Sequence, residues 1–221
     1  MAVTLSNSPI REVLVGVSIN ITEDQLKQFE NRAKIERFYP NKQISPGLSF
    51  DQSRNFFIHT PGYTFSTKDG KQTMFVDKTR LTISNRDKYE SFDKFISPFL
   101  ELFHVFVDIA GDIKLGSDVG LRYINEMFLT PAELKLFKIC LNDSDGGVEN
   151  YGAGFPIIKE NALINVNIQK NALPDSQSRV IFDIDAHVKY TNIEESLERL
   201  RSLTESVFFD NVDDSLIQKW K

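Results

Sequence analysis

The chain has 221 residues, 41% of them hydrophobic, and its 26 Lys and Arg against 31 Asp and Glu give a net charge of −5. This composition excludes a disordered chain and a membrane protein, and it argues against a protein that coats nucleic acid with its whole surface. One cysteine, Cys140, leaves neither an intrachain disulfide nor a thiolate metal cluster. Met1 to Val13 shows no leader-peptide pattern, so we expect a cytoplasmic protein.

The first predicted strand, Val13 to Ile19, leads into a helix that begins at Thr22. Gln25 follows three residues after this threonine, which is the spacing of a capping box. In such a box the threonine oxygen accepts a hydrogen bond from the third helical amide, and the side chain at that position returns one to the cap.

The segment Ile21 to Phe29 recurs 108 positions later, as Leu129 to Phe137. Thr130 and Glu133 repeat the capping box there, behind a second predicted strand at Val119 to Leu129. A repeated cap behind a repeated strand indicates that the sequence is internally duplicated.

Two long helices are predicted from apolar stripes with identical spacing. Apolar residues recur at intervals of four, three, three and four, which places them on one helical face. They are Phe92, Ile96, Phe99, Leu102 and Phe106 in the first stripe, and Ile193, Leu197, Leu200, Leu203 and Val207 in the second. Asn192 with Glu195 is the predicted cap of the later helix, and a short final helix is expected over residues 213–221.

Period-two alternation and turn residues predict the strands between these helices. They are Ser49 to Asp51, Asn55 to Thr60, Tyr63 to Thr67 and Thr73 to Ser84 in the first half, and Gly154 to Ile158, Ala162 to Gln169 and Arg179 to Tyr190 in the second. Asp69-Gly70 and Pro174-Asp175 supply turns. The glycine-rich run Asp143 to Gly154 is the predicted flexible loop.

These elements predict an α+β fold, internally duplicated as two β-α-β-β-β-α halves, with antiparallel sheets and long helices packed on one face. The predicted halves are residues 1–112 and 113–221, and we expect them to pack intimately as one unit. Each half would then extend the other's sheet around a pseudo-twofold axis.

The strand around Arg122 carries the first candidate site. Arg122 alternates with the apolar residues of the strand, and its guanidinium could bind a carboxylate or phosphate ligand. It could also pair with an acidic side chain on a neighbouring strand, for which Asp183 and Asp185 are the natural candidates. We favour a structural pairing, buried because the strand is expected to be central.

The second candidate site lies on the predicted strand Arg179 to Tyr190, where Asp183, Asp185 and His187 share one face. Two carboxylates and an imidazole could hold a divalent metal or perform acid–base chemistry. The solvated face of a half-buried antiparallel strand produces the same alternation, and we favour that interpretation.

The third candidate is a basic region between Arg54 and Lys88, where cations alternate with aromatic residues. Such a mixture on a sheet could stack and neutralise single-stranded nucleic acid. The candidate contacts are Arg54, Lys71, Lys78 and Arg80. Aspartates in the same region dilute the positive field, so nucleic-acid binding is an alternative rather than the favoured function.

Gly120 to Asn125 reads GLRYIN, and further distinctive segments lie at Pro9 to Val13, Phe182 to Asp185 and Phe208 to Asp210, with Asp213 and Trp220 beyond them. In these segments the sequence resembles a sporadically distributed, uncharacterised prokaryotic family with a GLRYIN strand motif. The resemblance implies no catalytic residue. The patchy occurrence of the family implies an accessory role, in phage defence or a toxin–antitoxin pair.

Together these observations favour a non-enzymatic binding or assembly module that needs no cofactor, binds no membrane, and recognises another protein or a second copy of itself. Two alternatives remain open. One is a metal-dependent hydrolase or nuclease that uses the Asp183, Asp185 and His187 face. The other is a single-stranded nucleic-acid-binding module that uses the basic region.

Overall fold

The computed structural model describes residues 8–29, 33–51, 56–87, 89–111, 114–137, 150–174, 177–189 and 192–220. The strands in these ranges are β1 (Ile10–Asn20), β2 (Asn41–Asp51), β3 (Phe56–Ser66), β4 (Gln72–Val76), β5 (Arg80–Asn85), β6 (Lys114–Leu129), β7 (Asn150–Lys159), β8 (Ala162–Ala172) and β9 (Ser178–Lys189). The helices are α1 (Glu23–Gln28), α2 (Ala33–Glu36), α3 (Phe92–Ala110), α4 (Pro131–Leu134), α5 (Ile193–Asn211) and α6 (Asp214–Gln218).

The strands form a nine-stranded sheet in the order β2-β3-β4-β5-β1-β6-β9-β8-β7. The ladders β2–β3, β3–β4, β4–β5, β7–β8 and β8–β9 are antiparallel. In the β8–β9 ladder, Asn167 lies opposite Asp183 and Ile164 lies opposite Ala186. The predicted α+β class, with an antiparallel sheet, is therefore confirmed.

The first half contains one more strand between its helices than the predicted β-α-β-β-β-α order. The segment Thr73 to Ser84, predicted as one strand, is two strands, because Asp77 forms a turn between them. The Oδ1 atom of this buried aspartate accepts hydrogen bonds from the amides of Thr79 and Arg80 at 2.7 and 2.9 Å. An aspartate that binds backbone amides two and three residues ahead ends a strand locally.

Two further boundaries differ from the prediction. The segments Asn55 to Thr60 and Tyr63 to Thr67 belong to the single strand β3, which passes close to β4 at Gly62. A Cβ atom there would lie 2.8 Å from the carbonyl oxygen of Val76. The predicted loop Asp143 to Gly154 lies mostly outside the described residues, and its last five residues begin β7.

The predicted caps are confirmed. Thr22 Oγ1 accepts from the Gln25 amide at 3.2 Å, and Gln25 Oε1 accepts from the Thr22 amide at 2.8 Å. In α4 the corresponding distances between Thr130 and Glu133 are 3.3 and 2.8 Å. The side chain of Asn192 accepts from two amides at the start of α5.

The predicted helical stripes form cores. In α3 the stripe is buried except for the half-buried Ile96, and in α5 it is buried except for the half-buried Ile193. The ring of Phe106 stacks on Phe29, with centroids 5.2 Å apart. These contacts explain why the stripes, rather than helix propensity alone, determine where the helices lie.

The chain divides into two compact units. The C-terminal unit comprises the described residues of 1–13, 88–92 and 119–221, and the N-terminal unit those of 14–87 and 93–118. The predicted boundary between residues 112 and 113 separates the two halves of the duplicated sequence, not these two units, and it stays a prediction. Among the described helices, none is long and apolar enough to cross a membrane.

Candidate functional site

Strand β6 presents two chemically different faces within the C-terminal unit. Leu121, Tyr123 and Asn125 are buried on one face, while Arg122 and Ile124 are partly exposed on the other. This is the alternation expected of a strand covered on one side.

On the partly exposed face, Arg122 forms a bidentate ion pair with Asp183. Its Nε atom donates to Asp183 Oδ1 at 2.8 Å and its Nη2 atom to Asp183 Oδ2 at 2.7 Å. This hydrogen-bonded partner raises the pKa of the Arg122 guanidinium. The predicted contact is present, but the side chain of Arg122 is 40% exposed against 10% for Asp183, which corrects the expectation of a fully buried pair.

On β9, the other two residues of the candidate metal site, Asp185 and His187, contact each other. Asp185 Oδ1 lies 2.9 Å from His187 Nε2. The His187 ring lies over Gly120, where a Cβ atom would approach His187 Nδ1 to 2.6 Å. Asp183 is thus engaged by Arg122, and no group of three His, Cys, Asp or Glu in the described parts of the chain is arranged to hold a metal.

The basic region shows the same pattern of local pairing. Each described cation among the candidates lies near a carboxylate: Lys71 Nζ is 2.7 Å from Asp87 Oδ1, Lys78 Nζ is 3.4 Å from Glu23 Oε2, and Arg80 Nε is 3.4 Å from Asp77 Oδ2. Arg54 lies outside the described residues. Pairing weakens the field that would attract a phosphate backbone.

The buried face of β6 borders a cleft in the C-terminal unit. Its space amounts to about 720 Å³, including the part open to solvent. The cleft is formed by β6, by α5, by residues 89–92 and by residues 8–10. Its aromatic walls are Tyr89, Phe92, Tyr123, Phe208 and Phe209.

Asn125 is a buried polar residue in the lining of the cleft. The residue is 2% exposed, and its Nδ2 atom donates to the carbonyl oxygen of Phe182 at 2.9 Å. Within the described residues its Oδ1 atom has no hydrogen-bond partner. A buried side-chain amide normally has both ends satisfied, and an acceptor left alone costs about 1–3 kcal/mol.

Tyr123 places a neutral hydroxyl beside this amide on the cleft wall. Its ring meets Tyr89 edge-on, with centroids 5.8 Å apart and planes at 89°, and the two hydroxyl oxygens are 3.4 Å apart. Burial raises the pKa of Tyr123 well above its usual range. The hydroxyl therefore stays protonated at physiological pH and can donate or accept a hydrogen bond.

Arg201 carries the positive charge of the cleft, and this charge is already compensated. Its guanidinium lies 5.0 Å from the centroid of the Phe92 ring. Nε donates to Glu205 Oε1 at 2.9 Å, and Nη1 lies 3.5 Å from Glu198 Oε2. Arg201 and these two glutamates together carry a formal charge of −1.

Strand alternation in the sequence puts Tyr123 and Asn125 on the face opposite Arg122, but no sequence pattern there indicates a site. The available signal was an amide among apolar residues on a face that alternation predicts to be buried. The cleft itself also needs α5 and residues 89–92, which local patterns do not bring together. Neither a family model nor a curated protein was found to match this sequence.

Proposed function

We propose that the protein is a non-enzymatic binding module of a prokaryotic accessory system, acting in phage defence or a toxin–antitoxin pair, and that the cleft beside β6 is its ligand site. The supporting observation is Asn125, a buried residue that lines the cleft and whose Oδ1 atom has no partner in the described residues. A bound donor would compensate this cost. The accessory role rests on the resemblance through the GLRYIN motif.

The cleft has the composition of a binding site. Aromatic walls bury a ligand's apolar surface, and a few fixed polar groups orient it. The polar groups are held before any ligand arrives: Arg201 by two glutamates, and Asn125 by the carbonyl of Phe182. Such preorganisation lowers the entropic cost of binding.

The two alternatives have weaker support. The Asp183, Asp185 and His187 face is occupied by the Arg122–Asp183 ion pair and the Asp185–His187 contact, and the candidate cations Lys71, Lys78 and Arg80 lie near carboxylates. A hydrolase would need a further ligand or base, and a nucleic-acid module would need unpaired cations.

We also infer that the two halves arose by duplication. From each edge inward, the strands follow β3-β4-β5-β1 in the first half and β7-β8-β9-β6 in the second, with β2 added outside the first set. Both β1 and β6 run into a helix with a complete capping box. Superposition of residues 13–110 on 119–209 tests the inference, and non-equivalent positions of α1 and α4 would contradict it.

A second copy of the chain is the partner we propose for the assembly role. Ile158 and Leu163 lie opposite each other in the β7–β8 ladder and are 81% and 43% exposed. Covering this apolar pair would favour association. Light scattering should give a larger particle for the wild type than for Ile158→Lys, and equal monomeric masses would contradict self-association.

Ligand-observed NMR with a defined set of small aromatic compounds tests the cleft. Phe209 borders the cleft on α5, so Phe209→Ala should weaken the binding of any compound held there. Phe155→Ala is the matched control, because Phe155 is a partly exposed phenylalanine of β7 that does not line the cleft. If no compound distinguishes Phe209→Ala from the wild type, the cleft is not the ligand site.

A further inference from the structure

We infer that the cleft takes a planar aromatic ligand that is neutral or cationic and donates a hydrogen bond to Asn125 Oδ1, and that it discriminates against anions of the same shape. This inference rests on the proposed function, since it names the class of ligand for the same cleft. Three observations carry it: the fixed orientation of one amide, the charge of the lining residues, and the aromatic walls.

The orientation of the Asn125 amide determines which atom is left for a ligand. Its Nδ2 atom donates to the carbonyl oxygen of Phe182. Turning the amide over would place Oδ1 against that carbonyl, and two acceptors cannot share a hydrogen bond. The amide is therefore fixed with its oxygen unused, and a ligand that meets it has to donate.

The charges around the cleft favour the same class of ligand. Arg201 is the positively charged residue of the lining, and Glu205 and Glu198 both engage its guanidinium. A carboxylate ligand would have to displace these partners. A cation or a neutral donor meets no such penalty, because the two glutamates already outweigh the charge of the one arginine.

The aromatic walls select a flat ligand. The Tyr89 and Tyr123 rings stand edge to face, and the Phe208 ring lies nearby in the same lining. Flat rings pack against such surfaces in offset or edge-to-face arrangements. Aromatic faces also attract cations, which adds to the preference set by the charges.

Three compounds with one ring and different substituents test this inference: benzamidine is a planar cation with several donors, benzamide is neutral with donor and acceptor, and benzoate is an anion without a donor. We expect calorimetric or NMR titration to give the tightest binding for benzamidine. Its Kd should be at least about tenfold lower than that of benzoate, since benzamidine can donate a charge-assisted hydrogen bond to Asn125 Oδ1 and benzoate has no hydrogen to donate.

Asn125→Val is the matching variant, because valine is close to asparagine in size and has neither the Oδ1 acceptor nor the Nδ2 donor. It should raise the Kd for benzamidine at least about tenfold, with folding checked by circular dichroism. Phe155→Ala should leave the Kd unchanged. Equal or tighter binding of benzoate, or an unchanged Kd in Asn125→Val, overturns the inference.

The outcomes separate this inference from the proposed function. If benzoate or another compound binds and its binding depends on Phe209 but not on Asn125, the ligand class is wrong and the binding module stands. If none of the three compounds binds but another compound binds in a Phe209-dependent way, the ligand class is again wrong and the binding module stands. If Phe209→Ala weakens the binding of no compound, both the proposed ligand class and the proposed ligand site are wrong.

Discussion

Strands β1 and β6 each run into a helix with the same capping box, but they differ at matching positions. Counted from the two capping threonines, the buried residues of β1 are Val13, Val15, Val17 and Ile19, and those of β6 are Leu121, Tyr123, Asn125 and Met127. The outer pairs are apolar in both strands. The middle pairs are two valines in β1 and a tyrosine with an amide in β6.

The difference marks the positions at which polar residues replace apolar ones on a buried strand face. A buried valine stabilises a sheet through burial alone, whereas a buried amide costs free energy unless every polar atom finds a partner. The long helices differ in the same way, since Arg201 of α5 stands where the stripe alignment gives Leu100 in α3. The polar residues of β6 and α5 line one cleft.

The largest effect is expected from truncating Phe182, a core side chain next to the cleft. Phe182 is fully buried and stacks on Phe208, with centroids 5.9 Å apart. Phe182→Ala should lower the free energy of unfolding by about 3–5 kcal/mol and weaken benzamidine binding. Phe99→Ala in α3 should cost a similar amount but leave benzamidine binding unchanged. Urea denaturation and titration below the unfolding transition check this, and equal effects on binding would contradict it.

A reciprocal exchange between the two strands tests the comparison directly. Val17→Asn places an unpartnered amide in β1 and should lower the free energy of unfolding by about 1–3 kcal/mol. Asn125→Val takes the donor from the Phe182 carbonyl but also removes the unfilled Asn125 acceptor; the two effects oppose each other, so the net change should stay within about 1 kcal/mol. Urea denaturation gives both values. A larger loss for Asn125→Val than for Val17→Asn would make Asn125 a structural residue.

The elements that could be predicted from the sequence are those that residues close together in the sequence determine. A capping box needs only Thr22 and Gln25, and a helical stripe needs only its own spacing. The split of Thr73 to Ser84 was missed because strand-forming residues continue on both sides of the Asp77 turn. For the site, alternation assigned Asn125 to its face, but the cleft depends on α5 and on residues 89–92, which tertiary packing alone brings to β6.

The partly exposed face of β6 should respond differently from the cleft face. Arg122 stands where β1 has Leu14, and Arg122→Ala leaves the mostly buried Asp183 carboxylate without its two hydrogen bonds. Because Arg122 is partly solvated, we expect a loss of only about 1 kcal/mol. A double-mutant cycle with Asp183→Asn should give a coupling energy of this size. Unchanged stability together with lost binding of a phosphate- or carboxylate-bearing ligand would instead make Arg122 a recognition residue.

The smallest expected difference lies in the caps that follow the two strands, because Glu133 of α4 is ionisable and Gln25 of α1 is not. Hydrogen bonds from Lys219 and from the Thr130 amide lower the pKa of Glu133 from 4.5 to about 2. A carboxyl group with a lowered pKa in the folded state stabilises it above the unfolded value, near pH 4.5, and this contribution disappears as the pH falls to about 2. Glu133→Gln keeps the capping geometry that Gln25 shows in α1 but removes the charge.

At neutral pH the free energy of unfolding of the wild type should exceed that of Glu133→Gln by less than about 1 kcal/mol, since the carboxylate is partly exposed. Urea denaturation at several pH values should show the difference shrinking between pH 4.5 and 2, whereas a difference independent of pH would assign the effect to cap geometry instead of the Lys219 ion pair.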